Sequence, residues 1–335
     1  MKKLQPPPQR QAAEVVKPRI ELVSKMLKRD IEPVTYLMHG LLARGGSSLF
    51  SAPPKGLKSS LALYWSLLMI GAVECKWQRF RPDLSRPLRV GYMDLEQADA
   101  LFVERMKQFA PGTISRLYRI TEFPLLDEHG IGELERLITD KELDVVFLVT
   151  LARLRPSTRG RSATEADAEL LAPVTKLAHR VDCHVCALVH SGKRKDHDNP
   201  LDMIAATSAL AGAVDDVMVM FRPDNADNEL RRHLFVTGRH IRDPGIYVLD
   251  RTQAGFELVG EAVEVVNSAL QKKILEALRR DGLPRGATEL VSIIGAKRQA
   301  IQRALGTLAE SGYVQVTFAG KYTTRLDLKV RRKRQ

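Results

Sequence analysis

Between Gly46 and Gly260 the chain alternates short apolar runs with longer stretches of helical character. "SSLFSA" (47–52), "LRVGYMDL" (88–95), "LDVVFLVT" (143–150) and "CHVCALVH" (183–190) are nearly continuous in apolar residues. That is the pattern of parallel strands buried on both faces. Helices are predicted between them, over Ser59–Ile70, Ala98–Phe109, Gly132–Thr139 and Ala163–His179. Strand–helix alternation of this kind predicts an α/β fold, a doubly wound and mostly parallel sheet. The later runs "DDVMVMFR" (215–222), "HLFVTGR" (233–239) and "GIYVLD" (245–250) have no helices between them. They are expected to extend the sheet in antiparallel fashion. Residues Pro18–Arg44 are expected to form short helices leading into the core.

The pattern changes after Gly260. "NSALQKKILEALRRDG" is helical in period and stops at Gly282, and "GATELVSIIGAKRQAIQRALGTLAESG" reads as helix, turn, helix. "YVQVTFAGKYTTRLDL" reads as a hairpin turning near Ala319 and Gly320. Three helices and a two-stranded wing predict a small winged helix-turn-helix domain. The expected organisation is a flexible segment over 1–17, a core over 18–260, the winged unit over 261–328 and a basic tail over 329–335.

Charge sharpens this division. The 335 residues carry a net charge of +12. From Leu270 to Gln335 there are 15 Lys and Arg against 5 Asp and Glu, so ten of those charges sit in the C-terminal piece. A polyanionic partner is implied, and DNA is the expected one. In a winged helix the second helix of the motif enters the major groove. Here that helix presents Lys297, Arg298, Gln299, Gln302 and Arg303, while Ile301, Ala304, Leu305 and Leu308 should pack inward. The competing use of such a unit is protein contact or subunit packing. Three cysteines in a chain of this length exclude a disulfide framework. Cys183 and Cys186 lie in an apolar run with no second ligand pair at zinc spacing, and are read as buried thiols. No apolar run reaches membrane-spanning length, and "MKKLQPPPQRQ" is not a signal peptide. A cytoplasmic protein without a membrane partner is expected.

The candidate chemistry begins at "SAPPKGLKSS" (51–60). A phosphate-binding loop has the form G-x-x-x-x-G-K-[ST], with backbone N–H groups wrapping phosphate, lysine on the β- and γ-phosphates and a hydroxyl on magnesium. Lys58 and Ser59 stand in register, but Ala52 and Leu57 occupy the glycine positions. Leu57 would be strained wherever φ is positive, and Gly56 is placed to absorb part of the turn. Taken alone, the stretch is equally a plain strand-to-helix loop with an exposed lysine.

The wider core resembles a family, the RepA-like hexameric helicases among the RecA-superfamily ATPases of plasmids and mobile elements. The blocks that carry the resemblance run in order from about Met38 to Asp250. They are "SAPPKGLKSSLAL", "LRVGYMDLEQADALFVERM", "LDVVFLVTLARLRP", "CALVHSGKRKD", "AATSALAGAVDDVMVMFR" and "LFVTGRHIRD". The resemblance implies a RecA-like fold with ATP and Mg2+ as cofactors. Pro54, Lys55, Gly56, Lys58, Ser59 and Ser60 would hold the nucleotide, with Ser59 on the metal. Glu96 matches the general base that polarises water, and also suits a solvated helix start. His190 matches the γ-phosphate sensor, and also suits a strand-end histidine satisfied by backbone. Arg239 matches an arginine finger for a neighbouring subunit, and also suits a surface ion pair. Lys193, Arg194 and Lys195 would face DNA in the channel of a ring, or form a solvated loop.

The chain departs from that pattern at the end of its third core strand, where the expected Walker B aspartate is Val149. Asp144 lies five residues earlier, about 16 Å away along a strand. Asp94 is the candidate replacement. The leading expectation is a ring-forming ATPase and helicase, a hexamer, serving replication of a mobile element with other replication proteins. The second is a hydrolysis-poor, nucleotide-binding initiator, loader or repressor acting on DNA through its winged helix. The third is a structural subunit that joins a catalytic homologue.

Overall fold

A computed structural model describes residues 20–156, 163–192, 201, 207–223, 229–262, 269–280, 282–310, 313–317 and 320–324. Met1–Val34 form one unit and Thr35–Gln335 another. The first contains a single described turn of helix, α1 (Val23–Met26), with no buried residue and an Arg29–Glu21 ion pair at 2.9 Å.

The second unit opens with a hairpin, β1 (Tyr36–Met38) and β2 (Leu42–Ala43). This corrects the expectation of helices up to Arg44. "YLMHGLLA" has almost no polar residue with which to face water from a helix, and all of Leu37, Met38, Leu41 and Leu42 are fully buried. Gly40 at φ +71° makes the turn.

The sheet elements follow as β3 (Ser47–Ala52), α2 (Lys58–Met69), β4 (Val90–Asp94), α3 (Asp99–Phe109), β5 (Leu117–Ile120), α4 (Glu128–Lys141), β6 (Val145–Val149), α5 (Ala163–Val181) and β7 (His184–His190). A short helix α6 (Thr207–Gly212) precedes β8 (Asp216–Phe221), β9 (Arg231–Gly238), β10 (Gly245–Thr252) and β11 (Gly255–Glu261). The nine strands stand in the order β11-β10-β9-β8-β3-β7-β6-β4-β5. β8 to β5 are parallel, and β9, β10 and β11 add the expected antiparallel edge. This is the doubly wound α/β sheet that the sequence predicts. β5 and β11 were not among the expected strands. β5 is a half-buried edge, and β11 mixes its apolar residues with Gly and Glu.

Two apolar layers sandwich the sheet. Phe50, Tyr92, Phe147 and Leu188 pack with α2 and with Phe102, Met106 and Phe109 of α3. Leu49, Met93, Val146 and Val185 pack on the other face with Leu134 of α4 and Leu171, Val174 and Leu177 of α5. α2 is buried almost all round, as its run LALYWSLLM requires. Its outer side is closed by Trp77 and Phe256, whose rings lie 6.2 and 5.9 Å from that of Tyr64.

The C-terminal elements are α7 (Ala269–Arg279), α8 (Ala287–Ile294), α9 (Arg298–Glu310), β12 (Val314–Val316) and β13 (Tyr322–Thr324). They share a core of their own, with Ile274, Leu278, Leu290, Ile301, Leu305 and Leu308 at its centre. β12 and β13 form an antiparallel pair, turned at Gly320 with φ +68°.

Candidate functional site

The six parallel strands β8 to β5 end on one edge of the sheet, and side chains from the ends of β3, β7, β4 and β6 converge there. β3 stops at Ala52, five residues make the loop, and α2 begins at Lys58. Leu57, the residue before α2, has φ 72° and ψ 8°, so it takes the left-handed conformation itself. Left-handed backbone costs a side-chain-bearing residue about 1–2 kcal/mol. Packing of Leu57 against the apolar layer of α2 offsets this. Gly56 does not take up the turn as expected, because the positive angles fall on Lys55 and Leu57. Gly56 is needed for space, since a Cβ there would stand 2.7 Å from the Pro53 carbonyl oxygen.

The loop borders a cavity of about 250 Å3 lined by Lys55, Gly56, Leu57, Lys58, Ser59, Ser60 and Arg105. Pro54 is exposed in the same loop. Arg105, from α3, was not foreseen, because only the packing of α3 beside α2 brings it to the loop. The cavity sits at the N-terminus of α2, where free backbone N–H groups and the helix dipole favour an anion.

Lys58 is 6% exposed, and its Nζ stands 3.4 Å from His190 Nδ1 at the end of β7. β3 and β7 pair so that Ala52 lies beside His190, which places the histidine next to the loop. Burial lowers the Lys58 pKa, and the nearby Glu96 opposes that shift. The His190 imidazole is lowered by burial and then by Lys58, with Glu96 again opposing. Lys58, His190 and Glu96 therefore share one electrostatic neighbourhood. Glu96 follows β4. Its Oε1 accepts a hydrogen bond from Thr150 Oγ1 at 2.8 Å and lies 3.5 Å from Arg153 Nε. Thr150 and Arg153 were missed as site residues. The signal was "TLARL", the stretch directly after β6.

Asp94, the last residue of β4, is 3% exposed. Its Oδ1 accepts from the Gln97 N–H at 3.2 Å, and its Oδ2 has no hydrogen-bond partner among the described residues. Tyr92, two residues earlier, donates its hydroxyl to the Ser59 carbonyl at 2.9 Å and so ties β4 to the first turn of α2. Arg119 of β5 straps the loop that carries Glu96. It donates to Gln97 O at 2.5 Å and Asp99 Oδ1 at 2.6 Å, and lies 4.3 Å from the Phe102 ring centroid. Asp94 Oδ2 lies 3.5 Å from Arg119 Nη2 in an ion pair, and with Lys58 and Ser59 it makes a set that fits a nucleotide phosphate with a hard divalent cation.

Arg239 is not part of this group. It directly follows the antiparallel β9, at the opposite edge of the sheet, and donates to Asp215 Oδ1 at 3.0 Å while its side chain is 70% exposed. Asp215 also accepts from Ser47 N at 3.0 Å and pairs with His179 Nε2 at 2.8 Å. Lys193, Arg194 and Lys195 lie outside the described residues. Cys183 and Cys186 are buried, and burial pushes the Cys186 thiol up to about 12.

In the C-terminal unit Lys297, Arg298, Gln299, Gln302 and Arg303 are all exposed, and Ile301, Ala304, Leu305 and Leu308 are buried. A second cavity, about 890 Å3, opens between α7 and α8 and is lined by Lys273, Arg279, Arg280 and Arg285 against the single acid Glu276.

Among the described residues no helix is long and apolar enough to cross a membrane. No curated protein matches the sequence significantly. Solved structures do share the fold. The ATPase domain of G40P superposes with a TM-score of 0.53 at 15% identity, covering 70% of this chain and 95% of that one. The structure of a DnaB-like replicative helicase and its interactions with primase gives 0.52 at 15% identity, covering 70% of this chain and 66% of that one. A family model described as an AAA domain matches residues 12–196, more than half of the sequence and all of the phosphate-loop region. With its RecA-like α/β fold, the chain belongs to this AAA domain family.

Proposed function

We propose that the protein is an ATP-binding, DNA-binding replication ATPase that works as a ring-forming helicase, of the kind that serves a plasmid or other mobile element in the cytoplasm. The observation that carries this reading is the convergence of Lys58, His190 and Glu96 at the N-terminus of α2, beside a phosphate-sized cavity. Lys58 would neutralise the β- and γ-phosphates, helped by the backbone N–H groups of 55–59. Burial lowers the Lys58 pKa, and an anion placed beside it would favour the charged form again. Ser59 would hold Mg2+, which supplies charge neutralisation across the phosphates when bound.

Glu96 is held by Thr150 on a loop strapped by Arg119, so it is oriented before substrate arrives. In this position it accepts the proton of the attacking water. His190 senses the γ-phosphate from the end of β7. Arg239 faces solvent at the opposite edge and would reach a neighbour's phosphate in a hexameric ring. The C-terminal unit reads as a winged helix that places α9 on duplex DNA. Lys193, Arg194 and Lys195 are proposed to face the translocating strand.

ATP hydrolysis by the full chain, with and without single-stranded DNA, tests the reading beside Lys58→Ala and Glu96→Gln. DNA-stimulated turnover abolished by both changes is expected, with Lys58→Ala alone losing nucleotide affinity. A specific observation favours a second reading. Val149 stands where the metal-ordering carboxylate belongs, and the second cavity adds four cations to the DNA-facing unit. These support a hydrolysis-poor, nucleotide-gated initiator, loader or repressor. Site-specific duplex binding without turnover selects this reading over the first.

A further inference from the structure

We infer that Asp94 supplies the metal-site carboxylate that the end of β6 lacks, one strand away from its usual position. The inference rests on the nucleotide reading above. Val149 and Asp94 are direct partners across the parallel pair β6 and β4. Such partners lie about 4.8 Å apart and point to the same face of the sheet. That face is the α2 side. Val145, Phe147 and Val149 belong to the apolar layer of α2, and so do Val90 and Tyr92. Side chains alternate along a strand, so Asp94 follows Val90 and Tyr92 onto that face.

The Tyr92 hydroxyl fixes how far β4 lies from Ser59. Asp94 is the next residue on the same face, about 6.6 Å further toward the edge that carries the phosphate loop. It is 97% buried, and one of its two oxygens accepts no hydrogen bond among the described residues, facing only the Arg119 guanidinium at 3.5 Å. A buried carboxylate oxygen without a hydrogen bond is costly, and native structures keep such groups where a ligand completes them.

The other acids nearby are engaged. Glu96 is bonded to Thr150. Asp144 lies just before the start of β6 and is held by Arg44, Arg86 and the Arg89 N–H. Arg119 Nη2 forms an ion pair with this Asp94 oxygen at 3.5 Å but donates its hydrogen bonds elsewhere, Nη2 to Gln97 and Nη1 to Asp99. It balances the charge of Asp94 and leaves the oxygen without a hydrogen bond. Mg2+ retains several waters when bound, so a carboxylate displaced by one strand can still order the ion through one of them.

The test uses the full chain, a non-hydrolysable ATP analogue and Mn2+ as the metal probe, with free Mn2+ followed by electron paramagnetic resonance. Asp94→Asn is expected to weaken Mn2+ binding about tenfold or more, the usual effect of losing an outer carboxylate, while analogue affinity in EDTA is unchanged. Adding Val149→Asp to that variant is expected to recover most of the loss. Val149→Asp alone leaves Asp94 in place and is expected to change Mn2+ affinity less than about threefold. Equal Mn2+ affinity in the native chain and Asp94→Asn, or a gain of about tenfold from Val149→Asp alone, overturns the inference and leaves the nucleotide reading standing. Failure of the native chain to bind the analogue overturns both.

Discussion

His184 shows how a single buried residue sets a pH limit. It begins β7 fully buried, donating Nδ1–H to the Ala43 carbonyl at 2.7 Å and accepting from Ser48 Oγ at Nε2 at 2.9 Å. Burial holds its pKa at about 4, against an ordinary 6.5. The folded state therefore binds fewer protons than the unfolded chain between those values. Stability is unaffected above pH 6.5 and is lost as pH falls toward 4, at about 1.4 kcal/mol per pH unit and about 3 kcal/mol in all. Denaturant unfolding of the native chain and of His184→Gln at pH 7 and pH 5 checks this. The native chain should lose about 2 kcal/mol more than the variant between the two pH values. At this scale much of the site was legible. Lys58, Ser59 and Glu96 stand in recognisable order along the chain, and the strain at Leu57 follows from its place in the loop. Thr150, Arg153 and Arg105 were not legible as partners, because only strand order and helix packing bring them to residues 50 or so positions away.

At the scale of elements, the parallel strands declare themselves by continuous apolar runs, and α2 to α5 by the stretches between. The elements that escaped detection lack such a signature. β11 is specified by what it covers rather than by its own pattern. It closes the outer side of α2, where Gly255 at φ +147° lets the Tyr64 ring approach so closely that a Cβ would stand 2.1 Å from it. Trp77 Nε1 donates to the Phe256 carbonyl at 2.8 Å and pins the same strand. Gly255→Ala forces both backbone strain and displacement of Tyr64. It should destabilise the fold by about 2 kcal/mol or more, read as a fall of several degrees in melting temperature. Ala substitution at half-buried Gly132 of α4, where nothing lies within 4 Å of an added Cβ, should leave the melting temperature within a degree or two or raise it slightly.

At the scale of the whole molecule, charge separates the AAA domain core from the C-terminal unit. Ten net charges gathered beyond Leu270 predict DNA affinity that falls steeply with salt. Replacing Arg298 or Arg303 with Ala should weaken duplex binding and lower the slope of log K against log salt by about one each, measured by fluorescence anisotropy. No loss in either variant would move the contact from α9 to the basic cavity beside α7. The core is polar in a different sense. Lys58 lies at one edge of its sheet and Arg239 at the other. In a two-fold dimer residue i of one copy meets j of its partner and j meets i, so the two edges pair there only if both lie on one self-complementary patch. A head-to-tail arrangement sets one edge against the other without that requirement, and such contacts either close into a ring or run on into a filament. If Arg239 completes a neighbour's phosphate site as proposed, a dilute, isolated copy holds half of a site at each edge and a complete one at neither.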